Sequence, residues 1–194
     1  MSNLKNRYQR EKDRTREALI HAALALVLEK GYRDVSVTAI ADRADYGRGT
    51  FYLYFEDKAD VVWAGLGRYM DDWHTNAFED IKEIQSLRRE YLSWVAVFTN
   101  LQDYWHFYAQ IDLEHGSAVW AKLRQYLIQT YEDNLRAGKY RSQINMPIPM
   151  MARFLYGALQ ETMLWWVETG FACSAEELAT MVFQMVYRQP VPEE

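Results

Sequence analysis

Residues 35–58, Val-Ser-Val-Thr-Ala-Ile-Ala-Asp-Arg-Ala-Asp-Tyr-Gly-Arg-Gly-Thr-Phe-Tyr-Leu-Tyr-Phe-Glu-Asp-Lys, constrain the fold more than any other stretch of the chain. Ser36 is a good N-cap for a helix that runs to about Ala44. Asp45-Tyr46-Gly47 then makes a tight turn, and a further short helix runs from Arg48 to about Tyr54. That helix opens with small residues and one arginine and continues into aromatics. A helix-turn-helix offers a recognition helix to the DNA major groove in this way.

The flanking sequence reads as helix throughout. A first helix is predicted from about Lys12 to Glu29, with Leu19, Ala23, Leu26 and Val27 on one face and Gly31 as its stop. Glu56-Asp57 supplies a cap and negative charge for a long helix over about 58–80, which suits the helix dipole. Further helices are predicted over roughly 86–101, 103–115, 118–137, 148–169 and 174–188. Ser174-Ala175-Glu176-Glu177 matches a capping box, Gly170 lies just past the preceding helix, and Pro147 and Pro149 stand where a helix starts. The reading is all-α, about nine helices: a three-helix helix-turn-helix domain over 1–57 with a basic N-terminal arm, then a helical bundle over 58–194 for ligand binding and dimerisation.

Composition narrows the setting. The first sixteen residues are polar and charged, unlike a signal peptide, and no apolar run is long enough to span a membrane. A single cysteine, Cys173, forms no internal disulfide, so the expectation is a cytoplasmic protein with no membrane partner. The net charge of −5 is unevenly spread: residues 1–60 hold 11 basic and 10 acidic side chains, against 11 and 17 in the rest. Lys5, Arg7, Arg10, Lys12, Arg14 and Arg16 face only Glu11 and Asp13 within the first sixteen positions. A basic arm and an acidic body suit DNA contact by one end.

Residues 14–60 resemble the DNA-binding domain of the TetR (tetracycline-repressor-like) family of bacterial regulators. The resemblance rests on Ala22-Ala23 with Lys30-Gly31-Tyr32, on Ser36-Val37 with Ile40-Ala41, and on Gly49-Thr50-Phe51-Tyr52-Leu53-Tyr54-Phe55 with Lys58. It departs from the family at Asp45, Tyr46 and Gly47, where Gly-Val-Ser is usual; Asp tolerates a left-handed conformation, and Gly is an acceptable if weaker cap. From the residues themselves, Ser36 and Thr38 are placed for phosphate, Arg48 for a guanine edge and Thr50 for a base or thymine methyl. Tyr46 either packs between helices or reaches DNA. The resemblance implies that Tyr52 lies near a base or phosphate, that Tyr54 lies at a phosphate and that Lys58 binds one. Phe51 and Phe55 read as core. Family likeness further implies a transcriptional regulator, a repressor by preference, that binds a palindromic operator as a homodimer and is released by a small-molecule effector.

Beyond residue 60 the chain is crowded with large rings. Trp73, Trp94, Trp105, Tyr108, Trp120 and Trp165, with the carboxylates Asp112 and Glu161 (Glu114 lies nearby), form the candidate ligand site for a hydrophobic or aromatic molecule. One buried carboxylate among them would favour a cation. The last two helices, through Leu155, Gly157, Ala158, Leu159, Met163 and Trp166, are the expected dimer surface. The alternative is a helical-bundle metal protein or enzyme, because Asp71–His74, Asp103–His106 and Asp112–His115 repeat Asp-x-x-His. Asp is shorter than the Glu of such sites and the matching lone glutamates are missing. No nucleophile triad, phosphate loop or cysteine zinc motif occurs. The expectation is therefore a regulator with no cofactor, no metal and no catalysis.

Overall fold

A computed structural model describes residues 2–79, 81, 84, 86–111, 117–138 and 146–192, and all of their side chains but those of 2–6, 74, 78, 79 and 86. Among the described residues there are nine helices and no strand: α1 (Ser2–Lys30), α2 (Val37–Arg43), α3 (Arg48–Tyr52), α4 (Lys58–Glu79), α5 (Ser86–Asp103), α6 (Trp105–Gln110), α7 (Ala118–Arg136), α8 (Ile148–Glu168) and α9 (Ala175–Tyr187). They form two compact units, Met1–Asp72 with His106–Lys122, and Trp73–Trp105 with Leu123–Glu194. Compactness therefore divides the chain elsewhere than after residue 57: residues 58–72 and 106–122 cluster with the N-terminal helices.

The first unit is built on α1. Leu19, Ala23, Leu26 and Val27 are buried on its inner face, against Ile40 and Ala41 of α2, Phe51 of α3, Phe55, and Val61, Val62 and Leu66 of α4, with Ile111 and Val119. Phe51 and Phe55 are core residues, as their spacing implies. α4 packs against side chains of α1 at Gly65, where a Cβ would stand 2.7 Å from Leu24 Cδ1 and 3.1 Å from Ile20 Cγ2. A side chain at 65 would have to push the Leu24 and Ile20 side chains aside. Ion pairs tie α1 to both neighbours: Glu17 takes both arms of the Arg68 guanidinium of α4, and Glu29 binds Arg43 of α2 at 2.6 Å. α1 begins ten residues earlier than its apolar face predicts, because residues 2–11 carry helix-compatible side chains and no buried one is needed to continue a helix already nucleated.

Local chemistry sets the other ends. Ser36 Oγ accepts the Ala39 N–H at 3.1 Å and caps α2. Asp57 Oδ1 accepts the Asp60 N–H at 2.8 Å and caps α4. In the second unit Ser174 and Glu177 exchange both bonds of a capping box. α8 ends at Gly170, φ +67°, with Gly170 N–H bound to Val167 O and Phe171 N–H to Trp166 O. That is a Schellman motif, and its apolar closure is the Phe171 ring standing edge-on to Trp166 at 4.9 Å.

The second unit packs α5 on α8 and α9. Tyr91 of α5 stands edge-on to Phe183 of α9, and Phe98 of α5 edge-on to Trp166 of α8. Trp94 stacks on Phe98 and Trp105 meets Phe171, so Trp94, Phe98, Trp166, Phe171 and Trp105 form one continuous aromatic series. Trp166 is fully buried and its indole N–H donates to Cys173 O at 2.8 Å. α6 is six residues long where the sequence suggests 103–115: α5 runs on to Asp103, and residues 112–116 lie outside the described set.

Candidate nucleic-acid interface

α2 and α3 meet at a turn made by an aspartate. Asp45 sits at φ 60°, its N–H bound to Asp42 O at 3.1 Å, while Tyr46 N–H reaches Ala41 O at 3.0 Å. These two bonds are the Schellman pair that normally calls for glycine. The short side chain of Asp tolerates that conformation better than most, so the turn survives the departure seen in the sequence. Gly47, extended at φ −76°, ψ 155°, is the N-cap of α3 and brings no side-chain bond.

Tyr46 resolves towards packing. Its ring lies half-buried against the core, and its hydroxyl accepts from Thr15 Oγ1 of α1 at 3.4 Å. Tyr54 is also half-buried against that core. Arg48, by contrast, is exposed and makes no ion pair among the described residues, whereas Arg43 and Arg68 are paired with carboxylates and Arg16 lies over the Phe55 ring. Thr50 is half-buried; Tyr52 is 52 % exposed and braced edge-on by Phe51 at 5.5 Å. Ser36 and Thr38 are exposed at the start of α2, and the Ser36 hydroxyl, though it accepts a cap bond, keeps its proton to donate.

Lys58 corrects the sequence reading. Its ammonium donates to Tyr32 O at 2.9 Å, Arg33 O at 3.2 Å and Val35 O at 3.0 Å, and lies 4.3 Å from the centre of the Tyr32 ring. An ammonium has three protons and all three are taken. Lys58 closes the loop after α1 and has no donor left for a phosphate. Leu53, which sequence reading passed over, is 80 % exposed at the end of α3, the most exposed large hydrophobic side chain among the described residues. Only its failure to join the Phe51–Phe55 core period hinted at this.

The candidate ligand residues fall in both units. Trp73, Trp94, Trp105, Glu161 and Trp165 belong to the second unit, and Tyr108 and Trp120 to the first. Trp94 and Trp105 are joined by the aromatic series. Glu161 and Trp165, one turn apart, are exposed on the outer face of α8, with Trp165 47 % exposed. Asp112, Glu114 and His115 lie outside the described residues. Glu90 of α5, which the sequence reading did not single out, is a buried carboxylate, 1 % exposed. Its heptad-like spacing to Trp94 was a usable signal. Of the metal-type pairs only Asp103–His106 is described at both side chains; both are exposed, and the break at Tyr104 puts them on different helices. No group of three metal-ligating side chains gathers among the described residues.

An exposed arginine and tyrosine with a half-buried threonine between them, on a short helix held by a tight turn over a packed partner, define a helix-turn-helix DNA-binding protein. Residues 19–64 match the family described as bacterial regulatory proteins, tetR family. The chain is 25% identical over 184 residues to the fatty acid metabolism regulator protein of Bacillus subtilis, covering 87% of this chain and 91% of that one. It is 39% identical over 67 residues to the transcriptional repressor KstR of Mycobacterium tuberculosis, a match that covers 34% of this chain and only 29% of that one. Among solved structures, a putative TetR-family transcriptional regulator from Syntrophomonas wolfei superposes with a TM-score of 0.65 at 22% identity, covering 91% of this chain and 94% of the other. The transcriptional regulator FadR of Bacillus subtilis, solved with stearoyl-CoA, superposes at 0.57 and 21%, covering 88% and 96%. Residues 19–64 belong to the TetR family of bacterial regulatory proteins. No helix of the described residues is long and apolar enough to cross a membrane.

Proposed function

We propose that this protein is a cytoplasmic, non-catalytic, homodimeric repressor that binds a palindromic operator through α3 and lets go when a small hydrophobic molecule binds its second unit. The observation that carries the reading is the unpaired, exposed Arg48 beside Thr50, Tyr52 and Leu53 on a rigidly supported α3. Arg48 donates to a guanine edge in the major groove. Thr50 and Tyr52 contact a base or phosphate, Leu53 packs on a thymine methyl, and Ser36 and Thr38 hold the neighbouring phosphate. The half-buried Tyr46 and Tyr54 brace this surface. A two-fold dimer would set two copies of α3 in successive major grooves about 34–36 Å apart.

Release is a population shift: the ligand binds the arrangement that fits the operator poorly more tightly than the one that fits, and a difference of about 1–3 kcal/mol gives roughly 5–150-fold release. The stearoyl-CoA bound to the FadR structure supports a hydrophobic effector. The aromatic series from Trp94 to Trp105 is the part of the second unit suited to one and supplies a fluorescence signal. The test begins with selection of bound duplexes from random DNA. Arg48→Ala is expected to cost about 1–3 kcal/mol on the selected palindrome and relax one base position. Replacing thymine by uracil in the half-site is expected to weaken the wild type but not Leu53→Ala, because only the methyl is removed. Unchanged binding by Arg48→Ala in a gel-shift titration would overturn the assigned DNA face.

A further inference from the structure

We propose that Tyr8 and Lys12 form a second DNA contact, a pair of donors on the overhanging part of α1 that grip the phosphate backbone beside the bases read by α3. The proposal rests on the DNA-binding reading above and names a surface outside the helix-turn-helix.

The argument follows one stripe of α1. Tyr8, Lys12, Thr15 and Leu19 are spaced by four, three and four residues and therefore share a face. Leu19 is fully buried in the core of the first unit. One turn towards the N-terminus, Thr15 is half-buried and donates to the hydroxyl of Tyr46, the residue just before the N-cap of α3. A further turn out, Lys12 is exposed, and beyond it Tyr8 is 73 % exposed. At 1.5 Å of rise per residue, Lys12 and Tyr8 stand about 5 and 10 Å farther along the helix than the Thr15–Tyr46 contact. The stripe thus leaves the core at Leu19, passes the start of α3 at Tyr46, and carries a cation and a phenol beyond it. Arg48, the cation at the head of α3, is two residues from Tyr46 on the other side.

Residues 7–14 are all exposed, with Gln9 bound to Asp13 at 3.0 Å. A helix polar on every side has no apolar face to hold it against the core. Six basic residues against two acidic ones in positions 1–16 make a polyanion its complement. Lys12 supplies a point charge to a phosphate and the Tyr8 hydroxyl a neutral donor. Arg7, Arg10 and Arg14, at i, i+3 and i+7, lie on the opposite side of the helix, away from the Thr15–Tyr46 face. They contribute general attraction but no seated contact.

The experiment titrates the full-length protein against the selected operator duplex by fluorescence anisotropy at several KCl concentrations. Lys12→Ala is expected to weaken binding roughly 5-fold and to reduce the slope of log K against log [KCl] by about 0.9, the loss of one phosphate contact. Tyr8→Phe should weaken binding with the slope unchanged, since a neutral donor releases no counterion. Arg14→Ala should leave the slope within error of wild type. Equal effects of Lys12→Ala and Arg14→Ala would overturn the proposal in favour of diffuse attraction. If Arg48→Ala impairs binding while Lys12→Ala and Tyr8→Phe do not, this contact is refuted and the reading of α3 stands. If Arg48→Ala and Lys12→Ala are both silent, both fall.

Discussion

Asp45 and Lys58 show how single residues settle this DNA-binding end. Asp45 holds a left-handed turn position at φ 60° that glycine would hold without a Cβ penalty. Asp45→Gly is expected to stabilise the protein by roughly 0.5–1 kcal/mol, the relieved strain outweighing the added freedom of the unfolded chain. A lower melting temperature for the variant would show that the Asp45 side chain makes a compensating bond. Lys58 gives the opposite sign. Three carbonyls of the loop after α1 depend on its ammonium. Lys58→Met should lower stability by about 1–3 kcal/mol, the usual loss when acceptors forfeit a charged donor. The salt slope of operator binding should stay as in the wild type. A flattened slope with an unchanged melting temperature would mean that Lys58 serves a phosphate after all.

At the scale of elements, helix ends were legible in the sequence and helix partners were not. Ser36, Asp57, Ser174 and Gly170 act on backbone groups within a few residues, so their roles can be read without knowing the fold. The three acceptors of Lys58 lie 23 to 26 residues away, and nothing local announces them. α1 began too late in the sequence reading because residues 2–11 have no inner face for an apolar period to mark. The pairing of α1 with α4 and α2 was equally hidden, and it has a titration consequence. The hydrogen bonds from Arg68 and Arg43 hold the carboxyls of Glu17 and Glu29 below the ordinary carboxylate range, and the Ser174 backbone and hydroxyl do so for Glu177. Each group binds its proton less tightly folded than unfolded. Their stabilisation is therefore complete above the ordinary value of about 4.5 and is lost as the pH falls below it. Glu17 and Arg68 are 37% and 46% exposed, so solvent screens the pair and its worth is at most about 1 kcal/mol. Thermal melts from pH 7 to pH 3 should show a shallower acid decline for Glu17→Gln than for the wild type. Parallel declines would remove the Glu17–Arg68 pair from the account.

For the whole molecule the question is which apolar surface a second copy covers. Sequence pattern alone could not separate the two faces of α8, because both are apolar. The structure separates them. Leu155, Leu159 and Trp166, which the sequence put at the dimer surface, are 5%, 5% and 0% exposed within one chain. Around the helix from them, Met150, Phe154 and Trp165 are 59%, 61% and 47% exposed, with Gly157 open between them and no atom within 4 Å of its would-be Cβ. α9 adds Met181 and Met185, one turn apart, at 41% and 74%. Large side chains flanking a glycine let two helices approach closely, and an exposed apolar stripe on two helices is costly to leave in water. The four-helix contact we propose for the homodimer therefore uses Met150, Phe154, Trp165, Met181 and Met185. Phe154→Glu with Met185→Glu should give a folded monomer, its helical circular dichroism intact, that sediments at half the mass of the wild type. It should lose far more operator affinity than a single half-site contact accounts for, since two readers no longer share one duplex. Leu159→Glu should behave differently, putting a charge into the core and unfolding the second unit. A wild type already monomeric at micromolar concentration would refute the dimer, and a double variant that stays dimeric would move the interface to another face.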